Sequence, residues 1–145
     1  CSMIVVDTNV ILRGVRSPQG ASGYVLRGML NGSIGFAASP ALVLEYEAVL
    51  KRRGKNDEVL IDEADADVIV DALCLRAVEV LPWFSFRPFL ADPKDDLVID
   101  CALAAGADTI VTDDRHFRHP AVKAFGLEAW SARTFVRRLL EGSQE

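Results

Sequence analysis

The chain has 145 residues, of which 50% are hydrophobic and 26% charged, so it suits one domain with one core and not an intrinsically disordered segment. The formal net charge is -5, which argues against an extended, nonspecific nucleic-acid binder, since such binding rests on neutralising phosphates. No apolar run approaches the roughly 18 residues of a membrane span, and the N-terminus lacks the basic and apolar regions of a signal peptide, so a cytoplasmic protein is expected.

Cys1-Ser2, ahead of Met3, reads as an expression scar. Residues 3–141 read as the single domain and residues 142–145 as a flexible tail. Ile4, Val5 and Val6 form the first strand, and their branched apolar run suits a parallel strand buried on both faces. Val10 to Gly14 then read as a crossover. Ser17-Pro18 is a helix-start signal, Tyr24, Val25, Leu26, Met29 and Leu30 give an apolar stripe, and Asn31-Gly32 end that helix. Residues 34–37 form a second strand. Ser39-Pro40 repeats the start signal, with Ser as N-cap and Pro in the first turn, and the helix it opens runs to about Arg53.

Residues 60–73 form a further helix with an acidic, solvated outer face, and Val78, Glu79, Val80 and Leu81 alternate like a strand. Pro82 to Pro88 read as a loop that Trp83, Phe84 and Phe86 pack down. Asp92-Pro93 opens a helix to about Ala105, which Gly106 ends, with Asp92 as N-cap. Asp108 to Val111 are a strand, residues 127–130 another, and Ser131 caps a last helix to about Leu140. Repeated strand–helix alternation predicts a three-layer α/β/α sandwich with a mostly parallel central sheet. Cys74 and Cys101 sit among apolar helical residues and read as reduced core thiols. No cysteine pair has zinc-site spacing.

Four places set an acid beside a buried element. Asp7 ends the first strand, Glu45 lies in PALVLEYEAVL, Asp96 and Asp100 lie in DPKDDLVIDCALAAG, and Asp113-Asp114 follow ADTIVT. Asp7 and the 113–114 pair both fall at C-terminal ends of parallel strands, the edge where open α/β sheets bind ligands. Asp96 and Asp100 are four apart and share a helix face. Converged carboxylates repel one another and lose hydration, so a fold keeps them where a hard divalent cation or basic side chains sit among them. An all-oxygen donor set favours Mg²⁺ or Mn²⁺. His116 and His119 read as a surface turn and not as metal ligands. Taken singly, each acid has a plainer reading as a loop, cap or solvated helix residue.

The segments VVDTNVILRG, SPALVLEYEAVL and DPKDDLVIDCALAAGADTIVTDDRHF together resemble the PIN-domain family, and within it the VapC-like toxin components of bacterial toxin–antitoxin pairs. The resemblance implies a metal-dependent ribonuclease whose acids meet above the sheet, leaving a 5′-phosphate product. On it, Asp7, Glu45, Asp96 and Asp114 match the catalytic acids, with Asp7, Asp96 and Asp114 holding Mg²⁺ or Mn²⁺. Glu45, Asp100 and Asp113 are further metal-site candidates. Asp113 stands where this branch often carries glycine. Thr8, Asn9 and Thr112 match small polar positions that orient acids. Arg13, Arg16 and Arg115 are the candidate phosphate contacts, because phosphates are met mostly by Lys and Arg. The expected partners are RNA, a second copy of the chain and a cognate antitoxin, with no membrane.

Two other readings compete with this one. A housekeeping RNA-processing nuclease would share the chemistry, and an inactive PIN-like module would keep only protein contacts. A haloacid-dehalogenase-like phosphatase would want a second Asp where Asn9 stands, and a dinucleotide-binding fold would want a glycine-rich first turn.

Overall fold

The computed structural model describes residues 3–82 and 93–142, leaving the side chains of residues 57, 93–96 and 121 outside the description. The expected loop at Pro82 to Pro88, the Asp92 cap and the two leading residues therefore lie wholly or largely outside the described residues, as does most of the expected tail.

Three short strands form the heart of the sheet: β1 (Ile4–Val6), β4 (Thr109–Val111) and β5 (Glu128–Trp130), paired in parallel in the order β1-β4-β5. The register sets Val6 beside Val111 and Val111 beside Trp130, so all three strands end at one level. Two further strands, β2 (Ala37–Ala38) and β3 (Val78–Glu79), also pair in parallel. A parallel bridge from Ile4 to Phe36 joins them to β1 and gives the order β3-β2-β1-β4-β5. Val5, Val6, Ile110 and Val111 are fully buried, as strands covered on both faces require.

Among the described residues seven helices flank this sheet: α1 (Thr8–Arg16), α2 (Ala21–Asn31), α3 (Pro40–Leu50), α4 (Glu63–Arg76), α5 (Pro93–Ala105), α6 (Pro120–Ala124) and α7 (Ala132–Gly142). The result is the three-layer α/β/α sandwich expected. Helix α5 lies across β1, β2 and β4, while α1 packs on α2 and α3. The core is built from branched aliphatic residues with Phe36, Tyr46 and Phe117 as its largest buried side chains. Each such side chain contributes on the order of 1.5–3 kcal/mol of burial.

Several boundaries differ from expectation. Val10 to Gly14 are not an extended crossover but the middle of α1, with Val10, Ile11 and Gly14 buried. Ser17-Pro18 does not open α2; that helix starts after Gly20, and the Gly20 amide donates to the Ser17 carbonyl in a turn (3.1 Å). The helix behind Ser39-Pro40 ends at Leu50, short of Arg53, and the acidic helix runs from Glu63 to Arg76 rather than from residue 60 to 73. The second strand is shorter than expected and ends one residue later. The last helix runs to Gly142, so the residue expected to begin the tail is its final one. Cys101 is buried as expected, whereas Cys74 is exposed on α4. Burial pushes the Cys101 thiol up to about 11, hydrogen bonding to Ser39 offsetting part of the effect.

The caps were well marked. Ser39 accepts from the Leu42 amide at the start of α3 (3.1 Å), and Ser131 accepts from the Thr134 amide at the start of α7 (3.1 Å). Gly32 and Gly106 take left-handed φ angles of 84° and 67° just past α2 and α5, which glycine adopts at little cost.

Candidate active site

The strand order carries the first clue. From β1 the chain moves outward through β2 to β3, then returns to the other side of β1 for β4 and β5. The direction reverses between β1 and β4, and the crevice at the C-terminal ends of two such strands is where open α/β sheets hold ligands. Asp7 follows β1 and Thr112-Asp113-Asp114 follow β4, so the acids expected from sequence flank this point.

Asp7 is only 3% exposed. Its amide extends the sheet by donating to the Val111 carbonyl (2.9 Å), and its carboxylate caps α1. Oδ1 accepts from the Thr8 amide (2.7 Å), and Oδ2 accepts from the Thr112 hydroxyl (2.7 Å). Thr112 Oγ1 in turn accepts from the Asp114 amide (3.0 Å), so one hydroxyl orients both strand-end acids. Burial raises the Asp7 carboxyl above its ordinary value; the Thr112 and Thr8 bonds pull it down, and the nearby charge of Asp114 pushes it up again. Thr112 and Thr8, two of the small polar residues singled out in the sequence, both bond to the Asp7 carboxylate.

Glu45 projects from α3, half-buried, with Oε2 withdrawn from solvent. The residue after it, Tyr46, is fully buried and donates its hydroxyl to the Val6 carbonyl, tying α3 to the strand end immediately before Asp7. Burial raises the Tyr46 hydroxyl well above its usual range, with Cys101 and Asp7 adding to the effect, so the donor stays protonated. Sequence reading passed over Tyr46; its one signal was an aromatic ring next to the matched glutamate. Asp96 lies in the first turn of α5, and its side chain is outside the description; Asp100, one turn later, is 5% exposed. Among the described residues no three acids, histidines or cysteines are gathered closely enough to hold a metal ion.

Asp113 does something that sequence did not suggest. Its Oδ2 accepts from Arg13 (2.7 Å), while Oδ1 accepts from the Ala132 amide at the start of α7 (3.3 Å). It therefore braces α1 and α7 against the β4 end, and Arg13 is engaged by that carboxylate although 62% exposed. Asp114 caps a 3₁₀ turn (Arg115–Arg118), its Oδ1 accepting from the His116 amide (2.9 Å) with His116 Nδ1 3.4 Å away. Arg115 is exposed in that turn. Asn9, Arg13 and Arg16 line a polar cleft of about 440 Å³ with Asp113 and Asp114, so two of the three expected cations stand directly beside the acids.

The α/β/α domain thus sets buried and half-buried carboxylates at the topological switch point of a parallel sheet. The sequence matches the PIN domain family over residues 3–116, and the chain belongs to that family. Among solved structures it is similar to VapBC2 from Rickettsia felis bound to a DNA fragment from their promoter, with 16% identity, a TM-score of 0.58, and coverage of 89% of this chain and 99% of that chain. A comparison with curated proteins found no match. No helix among the described residues is long and apolar enough to cross a membrane.

Proposed function

We propose that the chain is a metal-dependent endoribonuclease that hydrolyses RNA phosphodiester bonds, acting as the toxin of a toxin–antitoxin pair. The observation that carries this reading is the Asp7–Thr112–Asp114 constellation at the switch point, opening onto a cleft that Arg13 and Arg16 line.

The donors suit a hard cation. Asp7 and Asp114 offer carboxylate oxygens: Asp7 Oδ2 accepts from Thr112 and Asp114 Oδ1 from the His116 amide, and an ionised carboxylate has acceptor sites beyond these. Asp96 would join them from α5, with Asp100 one turn later on the same helix, Glu45 on α3 and Asp113 as a further candidate. A bound Mg²⁺ or Mn²⁺ would ease ionisation of the attacking water and neutralise charge on the phosphate. The chain's own residues do the rest. Thr112 and the Thr8 amide hold Asp7 in one orientation, Tyr46 fixes the backbone from which it springs, and Arg16 meets the phosphates of the incoming strand. Arg115, exposed in the 3₁₀ turn that Asp114 caps, serves the same purpose.

The toxin assignment draws on the VapC-like motif set and on the likeness in fold to VapBC2. It makes an antitoxin and a second copy of the chain the natural partners. A mixed, labelled RNA pool incubated with Mg²⁺ or Mn²⁺ tests the chemistry. Cutting is expected with metal, and neither with EDTA nor with Asp7→Asn or Asp96→Asn protein. Folded wild-type protein that neither cuts RNA nor binds Mn²⁺ would overturn it.

A further inference from the structure

A second group of residues stands on the same sheet edge and takes no part in the chemistry above. Trp130 is the last residue of β5, level with Val111 and so with Val6. The row of strand ends thus runs Asp7, Thr112, Ser131, and the Trp130 backbone lies roughly 10 Å, two inter-strand spacings, along the sheet from β1. The Thr112 amide donates to the Trp130 carbonyl (2.9 Å), which fixes the indole's strand to the acid-bearing turn.

The indole is held on several sides. Its Nε1 donates to Glu128 Oε2 (3.1 Å), and the Phe135 ring packs against it at 6.4 Å with a 44° tilt. The Arg138 guanidinium lies over the ring, 4.3 Å from its centroid. Trp130 remains partly exposed and Arg138 exposed. Two adjoining hollows share Trp130. One, of about 230 Å³, reaches Thr112, Asp113 and Asp114; the other, of about 360 Å³, continues past Lys123 to Arg138. Both are lined by Arg118, Ala129 and Trp130. Among the described residues neither Arg118 nor Lys123 is in an ion pair. In a chain of net charge -5, the outer hollow sets three cations, Arg118, Lys123 and Arg138, against one carboxylate, Glu128, which is engaged by the indole.

We infer that Trp130 and Arg138 form a base-stacking platform for single-stranded RNA, with Arg118 holding the adjoining phosphate, so that the strand runs from the acids along the β5 end. This rests on the nuclease reading for the direction of the strand. Unpaired bases stack on aromatic rings and on guanidinium planes, and a layered Trp–Arg pair presents such a surface in a fixed orientation. A duplex keeps its bases stacked on one another and gains nothing from it. The platform therefore selects unpaired RNA near the cut.

The test is fluorescence anisotropy of a short labelled single-stranded RNA of mixed sequence, in EDTA so that binding is read without cutting. Trp130→Ala is expected to weaken binding roughly five- to hundredfold, in line with loss of one stacked base. Arg138→Ala should weaken it too, and Trp130→Phe should keep most of it. Arg118→Ala should lower the salt dependence by about one phosphate contact. Binding of the same RNA annealed to its complement should be unchanged by Trp130→Ala. Unaltered single-strand binding in both Arg138→Ala and Trp130→Ala overturns the platform, as does equal loss for single strand and duplex. Trp130→Phe and Arg138→Ala decide the matter if Trp130→Ala does not fold. Variants that bind normally while wild type cuts RNA remove the platform and leave the nuclease reading. Trp130-dependent binding by a protein that never cuts does the reverse.

Discussion

Asp7 is an acid that the sequence exposed at once, because a branched apolar run ending in Asp-Thr-Asn leaves few other uses for a carboxylate. What sequence did not convey is its cost. The carboxyl is buried and raised above the 3.8 of an unfolded aspartate, the hydrogen bonds from Thr112 and Thr8 offsetting only part of the burial. In metal-free protein the native state therefore holds this proton more tightly than the unfolded chain does. Stability is fully present below the unfolded value and falls as pH rises through the raised native value. Asp7→Asn removes that loss, since an amide can accept from the Thr8 amide and donate to Thr112 Oγ1. In EDTA at about pH 7 the variant is expected to melt a few degrees above wild type, and the gap should close as pH is lowered toward about 4. Calorimetry across that range checks it. A variant that melts below wild type throughout would mean that the ionised carboxylate stabilises the fold.

At the scale of elements, the helices opened by Ser39-Pro40 and Ser131 were legible and α1 was not. Ser39-Pro40 and Ser131 marked their helices because an N-cap is a local event. Helix α1 was missed because Gly14 and the following Arg-Ser-Pro stretch look like a break, and glycine costs a helix about 1 kcal/mol relative to alanine. The reason for glycine there is tertiary. A Cβ on Gly14 would stand 2.8 Å from the Ser22 carbonyl oxygen, so α1 and α2 cross backbone to backbone. Gly23 is tighter still, its Cβ falling 2.1 Å from the Pro18 oxygen, whereas a Cβ on Gly20 meets nothing closer than 3.6 Å. Gly14→Ala is thus expected to cost about 1–3 kcal/mol by overpacking, less whatever helix propensity returns. Gly23→Ala should cost more, and Gly20→Ala, which meets no clash and only replaces the N-cap glycine of α2, should cost about 1 kcal/mol or less. Urea denaturation of the three variants measures this. Equal stability of Gly14→Ala and Gly20→Ala would show that α1 and α2 can part without loss. Because α1 carries Asn9, Arg13 and Arg16, any such parting also opens the cleft beside Asp114.

At the scale of the whole molecule, the layered class followed from alternation, but the strand order could not. Two of the five strands among the described residues are two residues long, and each is placed by its neighbours rather than by its own pattern. The order matters because it sets the β1 and β4 ends side by side and brings Asp7 within reach of Asp114's charge, a pairing across more than a hundred residues. Two like charges at one crevice leave the apoprotein strained electrostatically, and a cation bound there relieves both burial and repulsion. Mn²⁺ is accordingly expected to raise the melting temperature, by about 2.7 kcal/mol of stability at a hundred times its dissociation constant, with EDTA reversing the gain. Potassium chloride at matched ionic strength should not reproduce it, since screening of a buried pair is weak. The gain should vanish in Asp7→Asn protein; an equal rise there would place the cation elsewhere on the acidic surface. It should also shrink as pH falls, because the metal must displace the proton that the buried carboxyl holds with raised affinity. The same proton that steadies the empty fold then competes with the ion proposed to make it active, so the pH at which Mn²⁺ begins to raise the melting temperature should coincide with the pH at which RNA cleavage begins.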